Sequence, residues 1–388
     1  MRKMDNGAAI RFQRRQVSAL RLMSLDRSHF LQVQAASGGG LVSAGIGRAA
    51  RAALCYREMG GKALRKSQSI SIGMVGLVGG LLSTMPIGFA EKQDLNQQIE
   101  PAEGAFTAID VSGATFTAAL GINSAGKIVG EYVSARDGND HGFLRNRHGE
   151  FTAVDFPGAN FTHATGINSR GEIVGQYRLR GEPAMARHGF LLSRGTFTTI
   201  DPPGSVFSNA LGINRHGDIV GRFCTVFPCN PQNRHGFLFS EGVFLRIDVP
   251  GAIGTNAWAI DDRGKIVGGY QGTDGKSHVY LLRENHFTTI DFPGAVDTAP
   301  GEIKGGINSR GDIVSYYCAF EPCSLQNDSQ HGFLLSNGEF TTIDFPDGQA
   351  TAAFGINARG DIVGPYNDAS GTGHGFLLNP EEPDEEED

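Results

Sequence analysis

Three short signatures recur six times in fixed order, and each period holds four strand-like pieces. The repeat array opens on a fourth-type piece and closes on a third-type one. Together these observations predict an all-β chain folded as a six-bladed β-propeller of four-stranded blades, its ring closed by the N-terminal strand pairing with the last blade. The first signature, F-x-x-[IV]-D, ends at Asp110, Asp155, Asp201, Asp248, Asp291 and Asp344. The second, [GA]-I-[ND]-x-x-G-x-I-V, carries Asn123, Asn168, Asn214, Asp261, Asn308 and Asn357 at its third position. The third, H-[GV]-[FY]-L, opens with His141, His188, His235, His278, His331 and His374. Successive Asp residues of the first signature lie 45, 46, 47, 43 and 53 residues apart, the length of a propeller blade rather than of one solenoid coil.

Each piece has a local reason. Strand one ends in G-I-N, and N-x-x-G reads as a tight hairpin, because Asn accepts hydrogen bonds from its own turn and Gly takes the left-handed position. Strand two is I-V-G-x-Y, strand three H-G-F-L-L, and strand four F-T-T-I-D. The F-P-G turn that follows places Pro and Gly at the centre of a type II turn. The strands do not alternate cleanly between apolar and polar, as expected where both faces of a sheet are buried against neighbours. Pairing the spare first strand with the last blade hides two open edges, whereas an open solenoid would need polar caps.

Composition supports this reading and narrows function. Glycine supplies 55 of 388 residues, about twice the usual share of roughly 7%. Residues 1–90 carry 13 Lys+Arg against 3 Asp+Glu, leaving 21 against 38 in the remainder. So acidic a body argues against nucleic acid, whose recognition starts with phosphate neutralisation. Basic residues Lys62, Arg65 and Lys66, then the apolar run from Ser69 to Ala90, have the order of a secretory signal starting at Met59. The expected organisation is a mis-assigned upstream extension or a disordered or helical segment over 1–58, a signal peptide over 59–90, a linker over 91–104, the propeller over 105–379 and an acidic disordered tail over 380–388. An uncleaved anchor is the alternative to cleavage.

The residues H-G-F-L, G-I-N-x-x-G-x-I-V-G and F-T-T-I-D-F-P-G resemble the bacterial HAF-type extracellular repeat family, from Phe106 to about Leu378. Gly stands where the family name has Ala after His, and the fourth copy departs further, with His278-Val279-Tyr280 and Asp261-Asp262. The resemblance implies a secreted, periplasmic or cell-surface location and implies no reaction.

A residue present in all six copies is a blade-building residue first, since an active site is a single asymmetric constellation. The six His and six Asp are therefore expected to hydrogen-bond turns or each other within a blade. Variation is more informative. The Asp-to-Asn spacing is 13 except for 17 in the fifth copy, and the loop between strands two and three varies most in length. Such loops carry specificity on rigid scaffolds. The non-repeated His163, Trp258, Asp297, Glu302 and Lys304 near that face are the candidate ligand residues. On the opposite face the third turn residues include Arg170, Arg263, Arg310 and Arg359, read as solvated arginines.

Cys55 precedes the predicted cleavage site, and Cys224 with Cys229, and Cys318 with Cys323, are predicted disulfides of two long loops in an oxidising compartment. No metal site and no cofactor are predicted: C-x4-C without partner ligands is weak for zinc, and Asp137-Gly138-Asn139-Asp140 lacks an EF-hand's spacing. No nucleophile elbow, H-E-x-x-H, Walker loop or dinucleotide fingerprint occurs. The expected function is a secreted, non-catalytic, monomeric binding module for a protein or glycan. The alternatives are an extracellular polysaccharide hydrolase or lyase using carboxylates at the central channel, and a structural envelope protein.

Overall fold

The computed structural model describes residues 105–300, 304–323 and 328–380. The expectations for 1–58, 59–90 and 91–104, for Glu302, and for the acidic tail beyond Pro380 lie outside the described residues. No helix among the described residues is long and apolar enough to cross a membrane.

The described chain is all-β apart from one 3-10 turn at Pro231–Asn233, and it forms a β-propeller of four-stranded blades. The third copy shows the unit: Phe207–Ile213, Ile219–Cys224, Arg234–Ser240 and Val243–Ile247 pair in sequence order as an antiparallel meander. The fourth copy repeats it with Gly254–Ile260, Ile266–Gln271, Ser277–Arg283 and His286–Ile290. In the fifth and sixth copies the first strand is broken into two short pieces, giving five-stranded sheets. The expectation of six separate blades meets a difference here. The strands hydrogen-bond into five sheets, because Asp140 of the first copy makes a single parallel bridge to Phe161 of the second and merges two meanders into one eight-stranded sheet. The N-terminal strand Ala105–Ile109 pairs antiparallel with Gly373–Asn379, in register from Ala105 opposite Asn379 to Ile109 opposite Gly375.

The repeated residues build the blades. In the I-V-G of strand two, a Cβ on Gly221 would stand 2.0 Å from the Asn209 carbonyl oxygen and 2.6 Å from the Phe237 ring. Only glycine lets strand one and the H-G-F phenylalanine close over it. Those phenylalanines, Phe143, Phe190, Phe237, Phe333 and Phe376, are fully buried, with Tyr280 in the fourth copy. Each strand-three His reaches the strand-four Asp through Nδ1: His141–Asp155 at 3.0 Å, His188–Asp201 at 2.6 Å, His235–Asp248, His278–Asp291 and His331–Asp344 at 2.9 Å, and His374–Asp110 at 2.8 Å. The last pair joins the chain's first described strand to its last.

The N-x-x-G asparagines do two jobs. Asn123 Oδ1 accepts from the backbone N–H groups of Ala125 and Lys127 at 3.0 Å, shaping its own turn. Its Nδ2 donates to the Asn168 carbonyl at 3.0 Å, and Asn168 donates likewise to Asn214, and Asn214 to Asp261. Asn308 donates to Asn357 at 3.1 Å, and Asn357 returns to Asn123 at 3.2 Å. One link has no donor: Asp261 carries a carboxylate, and its buried Oδ2 has no partner. The inner strands also bulge just before G-I-N, with register shifts between Ala119 and Gly121, Ala164 and Gly166, Ala210 and Gly212, and Ala257 and Ala259. A bulge re-aims the extra residue; Leu120, Thr165, Leu211 and Trp258 thereby line the central channel.

Candidate functional site

The channel is plugged. Leu120, Thr165, Leu211, Trp258 and Phe354 narrow it, and Lys304 of the fifth copy reaches across, its Nζ donating to the Leu120 carbonyl at 3.2 Å and to the Thr165 carbonyl. The four extra residues of the fifth copy allow this reach. The fifth copy's first strand is interrupted between Asp297–Thr298 and Gly306–Ile307, as that of the sixth copy is, without an insertion, between Ala350–Thr351 and Gly355–Ile356. Gly269 and Gly305 flank the Trp258 indole; a Cβ would stand 2.2 Å and 3.2 Å from it.

Above the plug lies a cavity of about 320 Å³, lined by Phe116, Glu131, His163, Gln176, Asn209, Arg222, Lys304, Tyr366 and neighbours. Two sets of positions supply these groups. One is the first-strand residue before the bulge, which is Ala118, His163, Asn209 and Asn256 in the first four copies. The other is the x of I-V-G-x-[YF], directly opposite: Glu131, Gln176, Arg222 and Gly269. The I-V-G and aromatic positions that flank x in strand two recur for packing, while these positions vary in size, polarity and charge. A wider depression of about 710 Å³ in the fourth copy is lined by repeated turn and strand residues, including His278 and Tyr270, which the blade itself accounts for.

The cavity wall is ordered by charge. His163 is ion-paired through Nδ1 with Glu131 and through Nε2 with Asp140 at 3.3 Å, and Gln176 Nε2 lies 3.3 Å from Nδ1. Burial opposes charge on His163, but Glu131 and Asp140 outweigh it and its pKa is raised. The hydrogen bond from His163 is the main cause of a lowered Asp140 pKa, to which Arg187 and Arg178 add. Burial pushes the Lys304 amine down to about 7, with Glu131 pulling weakly the other way. Two buried polar atoms near the axis, Asn256 Oδ1 and Trp258 Nε1, have no hydrogen-bond partner. Buried groups of this kind are where a ligand or an ordered water gains a bond.

Of the sequence-derived candidates, the structure brings His163 and Lys304 together at this cavity. Trp258 is 1% exposed and lies in the channel below. Asp297 stands apart from both cavities, on a short edge piece where its Oδ1 accepts from the Ser277 N–H at 2.8 Å; burial raises its pKa. Glu131, Gln176, Asn209 and Arg222 escaped sequence reasoning, as did Asp140, which reads as a turn residue. The signal was present in the variable x of I-V-G-x-[YF], a position whose neighbours scarcely change. The cysteines form Cys224–Cys229 and Cys318–Cys323 disulfides. On the opposite face Arg170 pairs with Glu172 at 2.6 Å, Arg310 with Asp312 at 2.8 Å, and Arg359 with Asp361, so these arginines are neutralised where they stand. Among the described residues no group of three or more His, Cys, Asp or Glu is placed to hold a metal ion.

No protein-family model matches the chain. No curated protein matches it either. Among solved structures, it is similar to the fucose-specific lectin from Aleuria aurantia, at 14% identity over 74% of this chain and 100% of that one, with a TM-score of 0.42. It is similar also to AofleA from Arthrobotrys oligospora, at 13% identity over 72% and 89% with a TM-score of 0.45. For TolB from Acinetobacter baumannii the values are 14% over 71% and 55%, with a TM-score of 0.39. Likenesses at this level say nothing of a ligand or a reaction.

Proposed function

We propose that the chain is a secreted, non-catalytic binding module of the HAF-type repeat family, a six-bladed β-propeller that holds a glycan at the mouth of its channel. The observation that carries this reading is the 320 Å³ cavity. Its lining differs from copy to copy, on a scaffold whose other repeated positions serve packing. Mixed aromatic and polar walls of this kind suit the apolar faces and hydroxyls of a sugar ring. The six-blade count is supported by the single bridge that separates two complete meanders in the eight-stranded sheet, and by the asparagine ladder returning from Asn357 to Asn123. Secretion is supported by the two disulfides.

A hydrolase or lyase would need a carboxylic acid poised to donate a proton near neutral pH. The carboxylates at the mouth, Glu131 and Asp140, are both engaged by His163, and the Asp140 pKa is lowered rather than raised. The test is a glycan and polysaccharide panel on the full-length protein, scoring retention and released reducing sugar in the same wells. Retention without release is the expected result. Release of reducing ends or unsaturated products would overturn the reading.

A further inference from the structure

Three of the junctions between copies are closed by a stack of rings that the chain itself supplies. The phenylalanine of the turn leaving one copy lies flat on the strand-two tyrosine of the next. Phe156 covers Tyr177 at 3.5 Å between centroids, and Phe292 covers Tyr317 and Phe345 covers Tyr366 at 3.6 Å, all within 10° of parallel. At the other three junctions the turn brings Val111, Pro202 and Val249 instead. The blade accounts for the residues around the wider depression of the fourth copy but not for its opening. Val249 stands where a phenyl ring would cover Tyr270, and the space left between them is a cavity of about 710 Å³.

The uncovered tyrosine is a fixed platform. His278 stacks on its other face, 4.9 Å between centroids and 23° from parallel, and the Tyr270 hydroxyl is hydrogen-bonded to the Thr289 hydroxyl at 2.9 Å. His278 is held in turn by Asp291 through Nδ1 at 2.9 Å. The rim of the cavity is polar and departs from the repeat. Asn285 has a positive φ of 64° where other copies carry Gly149, Gly195, Gly242 and Gly338, and His286 follows it where no other copy has histidine. Glycine serves that backbone elsewhere, so the amide is an addition to the turn rather than a need of it. Asp274 completes the rim, its carboxylate half exposed and 3.3 Å from His278 Nε2. Among the described residues no Lys or Arg lines this cavity.

Resting on the reading above for the class of ligand alone, and at a separate site, we propose that the junction of the third and fourth copies binds a neutral saccharide. One pyranose ring lies on Tyr270 in the place of the missing phenyl, and its hydroxyls meet Asp274, Asn285 and His286. The C–H face of such a ring meets the negative π face of tyrosine as the edge of an aromatic ring does. Carboxylate, amide and imidazole supply the acceptors and donors that hydroxyls need. A carboxylate with no neighbouring Lys or Arg disfavours an acidic sugar. The cavity also lies within the range of ligand pockets, about 300 to 1,000 Å³, and has room beyond the single phenyl group that closes the other junctions.

Calorimetry and saturation-transfer NMR on the full-length protein test this with five probes: tetrasaccharides of β-linked glucose, mannose and galactose, a glucuronate tetrasaccharide, and a blocked Asp-Phe-Pro-Gly peptide. Two variants restore the pattern of other copies, Val249→Phe supplying the covering ring and Asn285→Gly removing the amide, while Val249→Ala leaves the slot open. The expected result is that a neutral tetrasaccharide binds and that its affinity at this site falls by about tenfold or more in Val249→Phe. It falls also in Asn285→Gly and is kept in Val249→Ala, with circular dichroism unchanged in all three. If Val249→Phe removes one of two binding events, both sites stand; if it removes the whole of the binding, this site stands and the channel mouth is overturned. A saccharide bound equally by the parent and both restoring variants overturns the inference and leaves the mouth reading standing. Tighter binding of the glucuronate sugar overturns the neutral assignment, and tighter binding of the peptide overturns the saccharide as occupant. Silence from every saccharide overturns both readings.

Discussion

The asparagine ladder around the ring makes a prediction of stabilisation at one residue. Five of six ladder positions carry Asn, and each donates to the next copy's carbonyl at 3.0 to 3.3 Å. At the sixth, Asp261 is 4% exposed. Its Oδ1 accepts from the Arg263 and Lys265 N–H groups at 2.9 and 2.8 Å, while its Oδ2 has no partner. Asp261→Asn keeps the accepting oxygen and replaces the orphan oxygen with a donor facing the Asn308 carbonyl. A neutral hydrogen bond contributes about 1 kcal/mol net, and relieving a buried unsatisfied group adds about 1 kcal/mol or more. The expected change is about 1–2 kcal/mol, raising Tm by about 2–4 °C for a domain of this size. Urea unfolding measures it, with Asn214→Asp as the reverse control; there a carboxylate would face Asp218, which now accepts from Asn214 at 2.9 Å. Asp261→Asn with unchanged or lower stability, at an unchanged m-value, would refute the ladder as a stabilising ring.

The fifth copy carries Ser315 where the other copies have Gly in I-V-G, and its hydroxyl donates to the Lys304 carbonyl at 3.4 Å. Ser315→Gly should therefore cost under about 1 kcal/mol, whereas Gly221→Ser should cost about 3 kcal/mol or prevent folding; denaturant midpoints separate the two. In His141, His188, His278 and His374 burial opposes charge but the paired Asp outweighs it, and in His331 the Asp344 hydrogen bond leads; all five pKa values are raised. Folded values above the unfolded value of about 6.5 mean stabilisation that is full below that pH and lost as pH rises through the folded values. His188→Gln should flatten part of the fall in urea midpoint above pH 6.5. Lys304 has the opposite sign. Its folded value of about 7 lies below the unfolded value of about 10.4, so the unfolded chain binds more protons between them and stability rises with pH across that window. Lys304→Met should raise stability by about 2 kcal/mol at pH 6.5 and by less at pH 9. An equal gain at both would argue against a buried, depressed amine.

The repeat made the fold legible. Gly at I-V-G, Asn at N-x-x-G and Pro-Gly at the turn each have a local steric or hydrogen-bonding reason visible in sequence, and six copies multiply the signal. The merging of the first two meanders was not visible, since it rests on one backbone bridge at Asp140 that no side-chain pattern encodes. The site was half legible. His163 and Lys304 stood out as residues without counterparts, and the long fifth copy pointed to its inserted segment. What the spacing did not convey was direction: Lys304 turns inward to carbonyls of the first two copies. Glu131, Gln176 and Arg222 lie inside a strand motif, where variability suggests tolerance until the bulged first strand shows that x faces the mouth.

The central claim is that ligand sits at the channel mouth, and the protein's single tryptophan reports on it. Trp258 lies in the channel just below the cavity and beside Lys304, with an unpaired indole N–H. Titrating the full-length protein with a saccharide that it retains, while recording Trp258 emission and heat in parallel, is the most direct measurement. The account predicts a saturable change in emission whose midpoint matches the calorimetric one and is displaced in Arg222→Gln. Heat of binding with unaltered emission, and an Arg222→Gln variant that binds as the parent does, would place the ligand elsewhere and contradict the account.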